Sequence, residues 1–248
     1  MLTRRSTLAL TLPWPLAPRA LAATPLKVVA DIEPPFVLKP QHAMGAGMDV
    51  DIAREALQLG GGPGIELEIV PFRRGLIMVE QGDADLTLGL VKTPDREPSL
   101  AFSRPYGHAP TLQFLSATQG PAMVQRLADL RSLRVGLLLG AKHPAALQAA
   151  LGATPSYINS RTSLLRMAAV GRLDVVVMER LTARWLMREL QLDQQLKAQP
   201  FELPWGSSPC MAFSRKSAAG MAALAPMNRG LEMLEQSGWA QFEKRYRV

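Results

Sequence analysis

Short apolar runs alternate with amphipathic stretches along this chain, and the alternation occurs in two separate blocks. Leu26–Ile32 is an apolar run closed by Glu33-Pro34-Pro35, which predicts a strand and a turn. Met48–Leu59 places Ile52, Ala56 and Leu59 on one helical face, and the glycines from Gly60 to Gly64 end that helix. A strand over Ile65–Val70, a helix over Arg74–Gln81 and a strand over Ala84–Leu90 follow. Strands alternating with helices in this way imply βαβ units and largely parallel sheets.

The second block begins after Thr111–Ala117, read as a strand, and a helix-like approach to Asp129-Leu130. Its strands are expected at Arg134–Leu139, Tyr157-Ile158 and Asp174–Met178. Its helices are expected at His143–Leu151, Thr162–Val170 and Leu181–Leu190. Leu203-Pro204-Trp205-Gly206 breaks the series. Cys210–Ser214 is strand-like, and Ala218–Tyr246 is mostly helix with joints at Pro226 and Gly238. The fold class is therefore α/β, with two lobes joined by crossing strands near 109–117 and 204–213. Lobe 1 is expected over 23–112 and 208–248, and lobe 2 over 113–207.

The chain is long enough, at 248 residues and 48% hydrophobic, to bury a sizeable core. Residues 1–22 read as an export signal. Arg4-Arg5 precede a short apolar segment broken by Pro13 and Pro15, and Ala20-Leu21-Ala22 is a cleavage site. Thr3–Leu8 also matches a twin-arginine signal imperfectly, so the export route stays open. The formal charge is +7; the 28 basic residues less Arg4, Arg5 and Arg19 leave 25 against 21 acids. That excess of four is too mild to point to nucleic acid. The lone Cys210 is read as a core thiol.

The residues with the most chemical content lie between Pro71 and Tyr106. Arg96 follows a strand end on a loop stiffened by Pro94, an arrangement that presents a fixed guanidinium fork to a carboxylate. Thr93 can donate its hydroxyl to the same group or cap the strand end, and Leu90 closes the strand beside it. Glu179 ends the apolar run Asp174–Met178, where strand ends open onto a cleft, and is equally read as a neighbour of the next helix cap. Glu33 and Phe36 form a lip after the first strand, and Phe36 with Phe72 would make an apolar wall. Gly140, Ala141 and Lys142 follow the strand Arg134–Leu139. Glu33 beside Glu179 favours a cationic ligand, whereas Lys142 favours an anionic one. Asp49 and Asp51 at a helix start are read as complements to its dipole. His42, His108 and His143 lack metal-ligand spacing, and no catalytic triad or phosphate loop is found.

Several motifs in order resemble the bacterial extracellular solute-binding proteins of amino-acid ABC transporters, family 3. They are Gly47–Ile52, Gly82-Asp83-Ala84-Asp85, Thr93-Pro94-Asp95-Arg96, Phe102-Ser103-Arg104-Pro105-Tyr106 and the closing Met227–Tyr246. The resemblance extends from Leu26 to Arg247. It implies a type II periplasmic-binding fold with a ligand cleft between lobes, no cofactor and no metal. It also implies a periplasmic, monomeric, non-enzymatic protein that captures an amino acid or a related compound for an inner-membrane permease. Arg96 matches the family arginine that holds a ligand α-carboxylate. Glu179 stands where the family usually has an aspartate for the ammonium group. Gly140-Ala141-Lys142 stands where the family has glycine followed by Thr or Ser at a helix N-terminus, and Glu33 where it often has an aromatic. Dehydratases on the same fold, and non-transport accessory or sensor proteins, are the rival readings.

Overall fold

The computed structural model describes residues 24–107, 109–152, 155–205 and 207–246. The expected leader over 1–22 and His108 lie outside the described residues.

Two five-stranded sheets organise the chain. The first begins with β1 (Leu26–Ala30), α1 (Met48–Leu59), β2 (Ile65–Ile69), α2 (Phe72–Gln81) and β3 (Leu86–Leu90), then adds β4 (Leu100–Phe102). The second holds β5 (Thr111–Ala117), β6 (Val135–Leu138), α3 (Ala145–Ala150), β7 (Ser156–Ile158), α4 (Arg161–Ala169), β8 (Val175–Glu179), α5 (Arg180–Glu189) and β9 (Leu196–Pro204). The chain then returns as β10 (Cys210–Ser214) to the first sheet and closes with α6 (Ala218–Ser237) and α7 (Ala240–Tyr246).

Strand order is β2-β1-β3-β10-β4 in one sheet and β7-β6-β8-β5-β9 in the other. β1 runs parallel to β2 and β3, as β6 does to β7 and β8. The strands that follow or precede a crossing are antiparallel: β10 to β3 and β4, and β5 to β8 and β9. Each sheet is packed into its own core. Val28, Ile52, Leu86, Phe213 and Met227 are buried together in the first. Leu115, Leu164, Val176 and Leu186 are buried together in the second.

The crossings differ from the sequence expectation. β5 pairs from Thr111 onward within the second sheet, and β10 pairs only within the first. Extended backbone gains its hydrogen bonds by staying in one sheet, so the chain crosses instead in the loops 103–110 and 205–209. These loops run side by side: Trp205 N–H donates to Pro110 O at 2.9 Å and Tyr106 N–H to Pro209 O at 3.0 Å. β4 and β9 are strands the sequence did not announce. Pro226 lies inside α6 and does not divide it. Among the described residues no helix is long and apolar enough to cross a membrane.

Candidate functional site

A cavity of about 460 Å³ opens between the two sheets and the paired crossings. Its floor on one side is the end of β3 and the loop that follows. There Arg96 is only 3% exposed, although it is an arginine on a loop. The loop coils so that Arg96 N–H donates to Thr93 O at 3.0 Å and Leu100 N–H to Arg96 O at 2.9 Å. The guanidinium donates from Nη1 to Val91 O at 2.9 Å and from Nη2 to Gly140 O at 3.4 Å, the latter across the cleft. Its Nε and the buried hydroxyl of Thr93 have no hydrogen-bond partner. Burial alone lowers the Arg96 pKa, and Asp95 and Glu80 offset that only in part. A buried guanidinium with an idle N–H and no carboxylate partner among the described residues is an anion-binding group held in readiness.

Carboxyls from both lobes also line the cavity. Glu179 ends β8 and caps α5, its Oε2 accepting from Thr182 N–H at 2.9 Å. It thus both caps α5 and lines the cavity. Burial pushes its pKa up to about 7, with Glu33 adding to the rise and the Thr182 amide opposing it. Asp49, read from sequence as a dipole partner, is 4% exposed and lines the same cavity. Burial pushes it also to about 7, the Tyr106 hydroxyl opposing and Glu33 and Glu179 contributing. What turns Asp49 inward is the start of α1. Met48 N–H donates to Pro35 O and Asp49 N–H to Phe36 O, both at 2.9 Å. Gly47 makes this possible: with φ at 117°, a Cβ there would lie 2.3 Å from Phe36 O.

The conflict between Glu33 and Lys142 disappears in the tertiary structure. Arg161, the first residue of α4 and itself 9% exposed, reaches across the cleft to Glu33 and to Asp31, each at 2.6 Å. Lys142 pairs with Asp95 at 2.7 Å, which holds the Asp95 carboxyl down at about 2. Arg180 pairs with Glu202 at 3.1 Å. The cavity charges that remain without an ion-pair partner among the described residues then include Arg96, Asp49 and Glu179.

Of the residues singled out by sequence, Glu33, Phe36, Phe72 and Leu90 line the cavity from the first lobe, with Arg96. Ala141, Lys142 and Glu179 line it from the second. Thr93 and Gly140 lie behind this wall. The turn at Gly140–Lys142 does not begin a helix: α3 starts at Ala145, and the Ala141 amide is already given to Leu138 O at 3.2 Å. Sequence reasoning missed Arg161, His143, Trp205 and Trp239. Arg161 is separated from its partners by about 130 positions, and no local pattern signals such a pair. His143 stacks on Trp205 with ring centroids 5.9 Å apart and 27° between planes. Its two ring nitrogens are buried without partners, and burial pushes its pKa down to about 4. Among the described residues no group of His, Cys, Asp and Glu is arranged to hold a metal ion.

Two α/β lobes joined by a double crossing, with a charged cavity between them, define a protein of the type II periplasmic-binding class. The chain belongs to the bacterial extracellular solute-binding proteins, family 3, whose profile matches residues 26–247. No curated protein is matched by the sequence. Among solved structures, an ancestral arginine-binding protein bound to arginine superposes with a TM-score of 0.76 at 20% identity, covering 90% of this chain and 98% of its own. The arginine-, lysine-, histidine-binding protein ArtJ from Geobacillus stearothermophilus gives 0.73 at 18%, with 90% and 94% covered. A histidine kinase sensor domain similar to periplasmic binding proteins also gives 0.73, at 20%, with 90% and 94% covered. At these identities the superpositions show the shared fold alone.

Proposed function

We infer that this chain captures a small zwitterion, an amino acid or close relative, outside the cytoplasm and delivers it to an ABC permease. The observation that carries this reading is the polarity of the cavity. A buried arginine with an idle Nε shares the cavity with Asp49 and Glu179, carboxyls that lack ion-pair partners among the described residues. A carboxylate on Arg96 gains charge-assisted hydrogen bonds of roughly 1.5–3 kcal/mol each. An ammonium group between Asp49 and Glu179 supplies the missing countercharge. Micromolar affinity needs only about −8 kcal/mol, which such a pair of contacts supplies with modest apolar burial after ordering costs.

Capture works by hinge closure about the loops 103–110 and 205–209. The expected lobe 1 over 23–112 is drawn in to end at 110, a reading supported by the pairing of Thr111 and Leu112 with β9 and β8. The protein acts as a monomer without a cofactor, and the segment 1–22 directs export to the periplasm. Replacement Arg96→Ala retains the fold, since no acid depends on that guanidinium, and abolishes ligand heat in calorimetry. Undiminished affinity would remove Arg96 from the site.

One observation favours an enzymatic second reading. Two cavity carboxyls lie near pKa 7, suited to general acid or base work. Recovery of the bound solute chemically unchanged after prolonged incubation supports the binding reading; recovery of a dehydrated or otherwise altered product supports the enzyme. The sensor alternative, motivated by the kinase-domain likeness, is separated by whether the purified chain stimulates solute-dependent ATP hydrolysis by a reconstituted permease.

A further inference from the structure

Building on the solute-binding reading, we propose that the solute carries a bulky apolar body, preferably an aromatic ring, behind its charged head. The cavity lining includes the apolar side chains of Phe36, Leu112, Val177, Trp205 and Trp239, drawn from both lobes and from the crossing between them. None of these side chains offers an acceptor, and only the indoles carry a donor. Two of the charged neighbours that a hydrophilic side chain would use are already engaged. Glu33 is held by Arg161 and Lys142 by Asp95. A hydrophilic solute would therefore leave its own polar groups without partners against this wall, the kind of mismatch that sites discriminate most strongly.

The aromatic wall is also fixed in place before any solute arrives. Trp205 sits on the second crossing, tied by its amide to Pro110 O, and its ring stacks on His143. Trp239 is braced by Tyr106 and Phe242, with centroids 6.4 and 6.5 Å away and tilts of 59° and 40°. Both indoles remain half-buried with a face on the cavity. A volume of about 460 Å³ lies in the range of roughly 300–1,000 Å³ typical of pockets for solutes larger than the smallest metabolites. Rigid aromatic faces that stay partly open favour offset or edge-to-face contact with another ring.

The test is a calorimetric and thermal-shift panel on the full chain stripped of bound solute by unfolding and refolding. L-phenylalanine, L-tryptophan and 3-phenylpropionate are compared with L-arginine, L-glutamate and L-glutamine at equal concentration. An aromatic amino acid is expected to bind at least about tenfold more tightly than any of the polar three. Trp205→Ala and, as a second variant on a different element, Trp239→Leu are each expected to weaken that binding about tenfold while far-ultraviolet dichroism is unchanged. Tight binding of 3-phenylpropionate alone supports the apolar body and overturns the zwitterion. A polar amino acid bound most tightly, indifferent to both tryptophan replacements, overturns the proposal and leaves solute binding standing. Absence of binding by all six overturns both.

Discussion

Burial governs the protonation of the two acids that share the cavity with Arg96, and burial of a residue is the property a sequence states least directly. Asp49 and Glu179 both sit near pKa 7, above the ordinary values of 3.8 and 4.5. A raised carboxyl stabilises the fold fully below its unfolded pKa, and that stability is lost as pH rises through the folded value. The solute-free protein should therefore lose thermal stability as pH rises from about 4 to about 7, and Asp49→Asn should flatten that loss; scanning calorimetry at several pH values measures it. A cationic solute group has the opposite preference, because it binds the ionised carboxyls. Affinity should rise on the order of tenfold between pH 5.5 and 7.5, and titration calorimetry at the two pH values checks it. An affinity that falls over this interval would remove the acids from the ammonium site. Arg96 was legible in sequence because a stiff loop after a strand leaves a guanidinium few uses. Asp49 was not, because an acid at a helix start already has a sufficient local explanation in the dipole.

At the scale of elements, patterning located every strand of the parallel series and failed where local rules are bent by position in the sheet. β9 contains Pro200 and ends at Pro204, which argues against a strand in a sheet interior. It forms because it is an edge strand, with β5 as its one neighbour in the sheet, so the missing proline donor is not needed there. β4 has three residues and no pattern long enough to read. α6 carries Pro226 within its span, yet it continues, held by its packing onto α1. That contact depends on Gly230, where a Cβ would lie 1.8 Å from Ala56 O. Gly230→Ala must push the helices apart, at a cost of about 1–3 kcal/mol. The melting temperature is expected to fall by roughly 2–4 °C for each kcal/mol in a chain of this size, as a thermal melt would show. An unchanged melt would mean that the two helices have room to separate.

For the whole molecule, the two lobes are held together across the cleft by side chains and not only by the crossings. Arg161 bridges to Asp31 and Glu33, Lys142 to Asp95, Lys39 to Glu189, and the Arg96 guanidinium reaches Gly140 O. Most of these are exposed pairs worth little alone. The Arg161 bridge is the exception, since its guanidinium is 9% exposed. Removing one partner of a buried pair leaves the others desolvated and uncompensated. Arg161→Ala should therefore shift the solute-free protein toward an open form. Small-angle scattering would register a larger radius of gyration, and saturating solute should restore the compact value. An identical scattering curve for the two proteins would assign closure to the crossings alone.

The order of strands and helices, the two-block division and the position of Arg96 were determined by the sequence itself. Each rests on short-range physics: side-chain periodicity, glycine and proline punctuation, and the stiffness of one loop. Which charges remain available to a solute was decided only in three dimensions. Glu33 and Lys142 gave opposite indications until Arg161 and Asp95 were found beside them. Asp49 and the two indoles became site residues only when the lobes met. Ion pairing and desolvation act through distance in space, and residues more than a hundred positions apart carry no mark of their proximity along the chain.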